Sequence, residues 1–204
     1  MMLIVNNNNR MSERGALRAM FEARKQVFID LLGWDLPVLA GCFEVDQFDN
    51  ARATYLILTD PERRHLASVR LLPTDQPGIL TSLFPDLCDE APPNGPDVFE
   101  ITRFCLSREL RATERRVVRN MLVSAIAQFG LANNVRSYTG VAELAWLQQI
   151  LAFGWNCRSL GVPRTHGGKV LGALRIDIEP DTLDKLAAAG VFYEPRVAAA
   201  LHAA

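Results

Sequence analysis

The sequence predicts an α/β (α+β) fold: a three-layer α-β-α sandwich with a mixed central sheet, formed as one domain over residues 1–204. Three observations lead there. Apolar residues recur at three- and four-residue steps in some stretches and gather in short β-rich runs in others. The two kinds of stretch mix along the chain in the order β-α-loop-β-β-β-α-β-α-β-β-α. With 204 residues, 49% of them hydrophobic and 22% charged, the chain can bury one sizeable core but is short for two full domains.

Met2 to Val5 reads as a short strand that ends at the run Asn6 to Asn9, whose side chains suit turns and helix starts. From Ser12 to Leu32 the positions Leu17, Met20, Phe21, Arg24, Val27, Phe28, Leu31 and Leu32 mark an amphipathic helix, with Arg24 inside its apolar stripe. Gly33 to Asn50 has no sustained period and reads as a long ordered loop, a feature often tied to function. Ala53–Thr59 and Leu66–Leu72 form a strand pair across Asp60-Pro61, with Arg70 inside the second strand.

The connection Pro73 to Pro96 is Pro-rich, with a helical turn near Leu80 to Phe84. VFEITRFCLS, Val98 to Ser107, then reads as a buried strand that carries Glu100 and Arg103. A helix follows over Thr113–Ala132, then a strand over Val135–Val141, a helix over Ala142–Phe153, and strands over Asn156–Leu160 and Lys169–Ile178. Asp181 is the expected cap of a last helix reaching Ala189.

Net charge is -1, which gives no global reason to expect nucleic acid or an anionic membrane as partner. No segment approaches the roughly 20 apolar residues of a membrane span, and MMLIVNNNNR lacks the basic leader and apolar core of a signal peptide, so a cytoplasmic location is expected. Cys42, Cys88, Cys105 and Cys157 lack C-x-x-C spacing and read as reduced thiols. His65, His166 and His202 lack the paired spacing of a helical metal site, and no G-x-S-x-G elbow occurs. Acid-base chemistry therefore falls to carboxylates, with no metal and no cofactor expected.

Charges within apolar surroundings are the informative residues, because a buried charge must be paired, solvated or used. Arg24, Arg70 and Arg103, with Asp46, Asp49 and Glu100, come from a helix, a loop and two strands, as an internal ion network or a site for a zwitterionic ligand requires. Phe28 and Trp34 add aromatic faces suited to a cationic group. Regular alternation places Glu100 and Arg103 on opposite faces of their strand. A β-bulge between them would re-aim one of the two; salt bridges on each face are the alternative.

Arg24-x-x-x-Phe28, Trp34, Glu44-Val45-Asp46-x-Phe48-Asp49, Ser68-Val69-Arg70-Leu71-Leu72, Phe84-Pro85 and Glu100-Ile101-Thr102-Arg103-Phe104 occur in that order. Together they resemble the acyl-homoserine-lactone synthases, the LuxI-type autoinducer synthases of bacterial quorum sensing. The resemblance is strong from Arg24 to Leu106 and loose at Phe153-Gly154-Trp155. Thr102 stands where most of the family has Ser, and a hydroxyl is kept. The resemblance implies a GNAT acyltransferase-like fold. It also implies acyl transfer from acyl-acyl carrier protein to the amine of S-adenosylmethionine, a substrate here, followed by lactonisation with release of methylthioadenosine.

On that resemblance Glu100 is the expected base, and Arg103 orients the substrate carboxylate or thioester oxygen. Arg24, Phe28 and Trp34 help to form the adenosylmethionine pocket. Asp46, Asp49 and Arg70 support it, Thr102 contributes its strand amides, and Phe84 and Phe104 shape apolar walls. RELRATERRVVR, with Arg108, Arg111, Arg115, Arg116 and Arg119 against Glu109 and Glu114, is a local positive excess that suits an acidic carrier protein; a solvated helix face is the plainer reading. The glycine-spaced loop by which many GNAT enzymes cradle coenzyme A is absent from this turn. Another GNAT-type N-acyltransferase using acyl-coenzyme A is the alternative, and a binding domain without turnover is a third reading.

Overall fold

A computed structural model describes residues 1–194; His202 lies outside the described residues. The chain forms two compact units, Met1–Arg70 with Arg103–Leu122, and Leu71–Thr102 with Val123–Tyr193.

In the first unit β1 (Met2–Val5) pairs antiparallel with β4 (Thr54–Thr59), and β5 (His65–Pro73) and β6 (Val98–Leu106) follow in strand order. Tyr55, Leu56, Ile57 and Val69 are buried there because these strands have both faces covered. Helix α1 (Arg14–Arg24) buries Ala16, Leu17, Met20 and Arg24, the stripe that its spacing predicts. The single helix expected to Leu32 is not α-helical to its end: Lys25–Leu31 is π-helical, and Gly33, at φ 66°, turns the chain out of it. Apolar steps of three and four do not distinguish α from π turns over seven residues, so the sequence leaves this unread. Within the loop Gly33–Asn50 two short strands, β2 (Val38–Leu39) and β3 (Phe43–Glu44), pair with each other.

In the second unit β6 runs parallel to β7 (Ser137–Glu143), with Glu100 opposite Thr139. β10 (Lys169–Asp177) pairs antiparallel with β7, β8 (Asn156–Ser159) and β9 (Arg164–His166), the last a strand too short to be read from the sequence. Parallel and antiparallel pairs together make the mixed sheet that was expected. Helices α2 (Ile79–Leu83) and α4 (Leu144–Leu151) pack on β7, and α4 also packs on β10. Helix α3 (Ala112–Ala132) follows β6, and α5 (Thr182–Ala188) closes the described chain. Asp181 stands at the start of α5 but makes no capping hydrogen bond through its side chain. It pairs with Lys185 instead, and Thr182 Oγ1 accepts the Glu179 amide.

Strand β6 contains a bulge, one of the two arrangements that its charges left open. The Thr74 amide donates to the Val98 carbonyl and the Ser107 amide to the Leu66 carbonyl. Leu66 to Thr74 is eight steps and Val98 to Ser107 is nine, so β6 holds one extra residue. Arg103 marks the place, with φ 52° in the left-handed region. The burial pattern resets there: Val98, Glu100 and Thr102 are buried before it, and Cys105 after it.

His65 opens β5 with Nε2 2.8 Å from Ser68 Oγ and with Nδ1 buried and unpartnered. Burial lowers its pKa to about 4. The unfolded chain therefore binds the proton first as pH falls, and stability carried by neutral His65 is full above about pH 6.5 and lost as pH drops toward 4. Urea unfolding of the wild type and His65→Gln should give free energies whose difference changes by about 2–3 kcal/mol between pH 7 and pH 4. A constant difference would refute this.

Candidate active site

Three arginines and three carboxylates from separate stretches of the first unit meet in one network. Arg24, at the end of α1, donates from Nε to Glu44 Oε2 at 2.5 Å and from Nη1 and Nη2 to the two oxygens of Asp49 at 2.8 and 2.9 Å. Arg70, on β5, grips Asp46 through Nη1 and Nη2 at 2.6 and 3.0 Å and reaches Asp49 Oδ1 at 2.9 Å. Arg103 lies 3.2 Å from both Glu44 oxygens through Nε, and 2.8 Å from Asp46 Oδ2 through Nη2. Forked contacts of this kind match the planar guanidinium to the planar carboxylate. Side chains of Arg70, Glu44 and Asp49 are 0% exposed, and Arg24 1%.

The acidic members owe their places to a local turn. Asp46 Oδ1 accepts the Phe48 amide at 2.8 Å, the Asp46 amide donates to Asp49 Oδ2 at 2.9 Å, and Tyr55 donates to Asp49 Oδ1 at 2.9 Å. Oxygens of Glu44, Asp46 and Asp49 come within 4.8 Å of one another, a spacing that would suit a cation; here three guanidinium groups supply the positive charge.

Titration follows from this pairing. Burial works against both charges of the Arg24–Asp49 pair, but their hydrogen bond and mutual attraction outweigh it: Asp49 is held well below the usual carboxylate range and the Arg24 proton is held more tightly than usual. Burial, then the charge and hydrogen bond of Asp49, raise the Tyr55 hydroxyl. Burial pushes the Cys105 thiol up to about 12, so it is an inert core group.

Phe28 and Trp34 stack at 4.9 Å with an 18° interplanar angle, and the Arg103 guanidinium lies 5.8 Å over the Phe28 ring. Val27, Phe28 and Cys105 form a small core, with Trp34 against it. Arg70 lies over Phe48 at 5.7 Å and Arg24 over Phe21 at 5.1 Å. Phe28 and Trp34 are thus a stacked pair, with the Arg103 guanidinium over one ring.

In the second unit Glu100, 2% exposed, accepts the Ile79 amide on Oε2 and the Leu80 amide on Oε1, each at 2.8 Å. Thr102 is 7% exposed on the same strand. Phe84 packs on Leu80, Leu87 and Ala173 and meets His166 edge-on at 5.2 Å.

The profile of the family described as autoinducer synthase matches residues 7–186. The chain belongs to this family. An acyl-homoserine-lactone synthase of Ralstonia nicotianae is 32% identical over 183 residues, 87% of this chain and 89% of that protein. BjaI, a CoA-dependent acyl-homoserine lactone synthase solved with SAM and isopentyl-CoA and also with MTA, superposes with a TM-score of 0.85 at 25% identity, over 97% of this chain and 95% of its own. An acyl-CoA N-acyltransferase from Pseudomonas aeruginosa, 14% identical, shares the fold at a TM-score of 0.61 over 86% of this chain and 97% of its own. The chain is thus an acyltransferase of the acyl-homoserine-lactone synthase type on a GNAT-like fold.

Within this autoinducer synthase the residues that the sequence singles out fall into three groups. Arg24, Asp46, Asp49, Arg70 and Arg103 are joined in the network, beside Phe28 and Trp34. Glu100, which the sequence groups with them, instead rests on two backbone amides, and the third carboxylate on the arginines is Glu44. Glu44 was visible in the Glu-x-Asp-x-x-Asp motif but gave no sign of its burial; Tyr55 reads as a plain strand residue. Phe104 is half-buried on β6. In the basic segment Arg108, Arg111 and Arg116 are exposed, whereas Arg115 donates to the Ser107 carbonyl and Arg119 to Asn120.

Removing Glu44 leaves Arg24 and Arg103 short of a shared carboxylate in a buried place. Glu44→Gln should lower the unfolding free energy by about 3–5 kcal/mol, about 10 °C in Tm. Loss under about 1 kcal/mol in urea unfolding would show that the network is not energetically linked.

Proposed function

We propose that this synthase transfers an acyl group from an acyl-acyl carrier protein to the amine of S-adenosylmethionine. The likeness to a synthase solved with SAM, over 97% of this chain, supports adenosylmethionine as acceptor, and the exposed arginines of the basic segment support a carrier protein as donor. The amine attacks the thioester carbonyl, a carbon–nitrogen bond forms and the carrier thiol leaves. The methionine-derived carboxylate then attacks the carbon next to the sulfonium, closing the lactone and expelling methylthioadenosine.

At neutral pH the substrate amine is protonated, so attack requires a base. We assign that role to Glu100. The Ile79 and Leu80 amides each donate one hydrogen bond to its two oxygens and so fix the carboxylate in place. Proton transfer from a bound ammonium to Glu100 then runs directly or through water. Strand amides beside Thr102 are our candidates for the thioester oxygen, where negative charge develops.

Arg103 spends Nε and Nη2 on Glu44 and Asp46, and we assign it to orienting the site rather than to proton transfer. Phe28 and Trp34 supply a face for the sulfonium or adenine of adenosylmethionine. Arg24, Asp46, Asp49 and Arg70 hold that face in place, and Phe84 and Phe104 are assigned to apolar walls.

Exposed Arg108, Arg111 and Arg116 suit the acidic carrier protein. A second reading, acyl-coenzyme A as donor to the same amine, is favoured by the likeness to BjaI, described as CoA-dependent. Purified protein given adenosylmethionine with each donor should yield methylthioadenosine and an N-acyl lactone by mass spectrometry, and their absence across a broad donor panel would refute the reaction. Glu100→Gln should fold and lose about 100-fold or more in kcat; near-normal turnover would remove the base assignment. The double reversal Arg111→Glu with Arg116→Glu should raise KM for the carrier protein about 10-fold and leave KM for adenosylmethionine within about 2-fold. Equal rises in both would remove the docking surface.

A further inference from the structure

The buried Glu100 carboxylate depends on a glycine that no motif singles out. Gly78 precedes α2, and its amide donates to Thr81 Oγ1 at 2.9 Å while its carbonyl accepts the Ser82 amide at 3.1 Å. Its backbone, φ -107° and ψ -164°, is extended and open to any residue. Conformation therefore gives no reason for glycine at this position. Space does: a β-carbon on Gly78 would overlap Glu100 Oε2 and lie 3.3 Å from the Glu100 carboxyl carbon, with no other heavy atom of the described residues beyond its chain neighbours within 4 Å. The next two amides, of Ile79 and Leu80, are the ones that bind Glu100 at 2.8 Å each.

We propose that Gly78 is a positioning residue for acyl transfer: its bare α-carbon lets the Glu100 carboxylate seat on the amides of Ile79 and Leu80 in the one orientation from which it accepts the substrate proton. The role rests on Glu100 being the base. Two amide bonds fix both oxygens, so the carboxylate plane is set by backbone rather than by a mobile side chain. A methyl group on residue 78 pushes the carboxylate, the one group that it meets among the described residues. Displacement of a reacting group by an ångström costs about 100-fold in rate.

The test is Gly78→Ala, alone and combined with Glu100→Gln, assayed for methylthioadenosine release. We expect Gly78→Ala to lower kcat by about 10- to 100-fold with KM for adenosylmethionine within about 2-fold. The double variant should be no slower than Glu100→Gln alone, because both changes strike one group. Wild-type kcat in Gly78→Ala, or losses that multiply in the double variant, would overturn the proposal. Near-normal rate in Glu100→Gln would overturn the base assignment itself and this role with it. Thermal unfolding gives a second reading that needs no activity: Gly78→Ala should lower Tm in the Glu100 background and leave it unchanged in Glu100→Ala, where the clash is gone. Equal losses in both backgrounds would overturn it.

Discussion

Six charges buried together govern the first unit. Transferring any one of them alone from water would cost several kcal/mol, and attraction between opposite charges returns that cost only when the geometry is complete. Arg24, Arg70 and Arg103 satisfy it with Glu44, Asp46 and Asp49, three positive groups against three negative ones. Because the members arise from α1, the loop before β4, β5 and β6, none of these can shift without leaving a charge unpaired. The network therefore acts less as a source of net stability than as a constraint on where four pieces of chain must lie. The aromatic pair Phe28 and Trp34 inherits its placement from this constraint, since Arg103 lies over one of its rings.

Strand β6 meets the problem of charge in a core twice, in different ways. Arg103 sits at the extra residue of a bulge and is answered by carboxylates. Glu100 stays in the regular part of the strand and is answered by backbone amides. A guanidinium between acids is neutralised by opposite charge, whereas a carboxylate on backbone amides is held by neutral donors.

Much of the frame was legible in the chain. The order of strands and helices followed from period and punctuation, since apolar spacing reports which face of an element is covered. Arg24, Arg70 and Arg103 stood out because each lies inside an apolar stripe, and the charges of Glu100 and Arg103 on one strand left a bulge or separate salt bridges as the two choices. Other features were not legible. The π-helical turns keep the same apolar spacing as α-turns, and β9 is three residues long. Glu44 falls in a loop, where periodicity says nothing of burial, and Tyr55 shows its hydroxyl's partner only once Asp49 is folded beside it.

The class of fold, the residues in need of a partner and, through eight or so positions in order, the family could all be read from the chain alone. Those facts are written in local pattern and in residue identity. Which charge answers which could not. Pairing depends on where separate elements meet, and the chain holds several arginines and acids that local reasoning cannot tell apart. Folding set Glu44 among the arginines, and set Glu100 on two amides beside Gly78, where a β-carbon would overlap it. An absent side chain leaves no mark in a sequence until the group that needs the space is brought next to it.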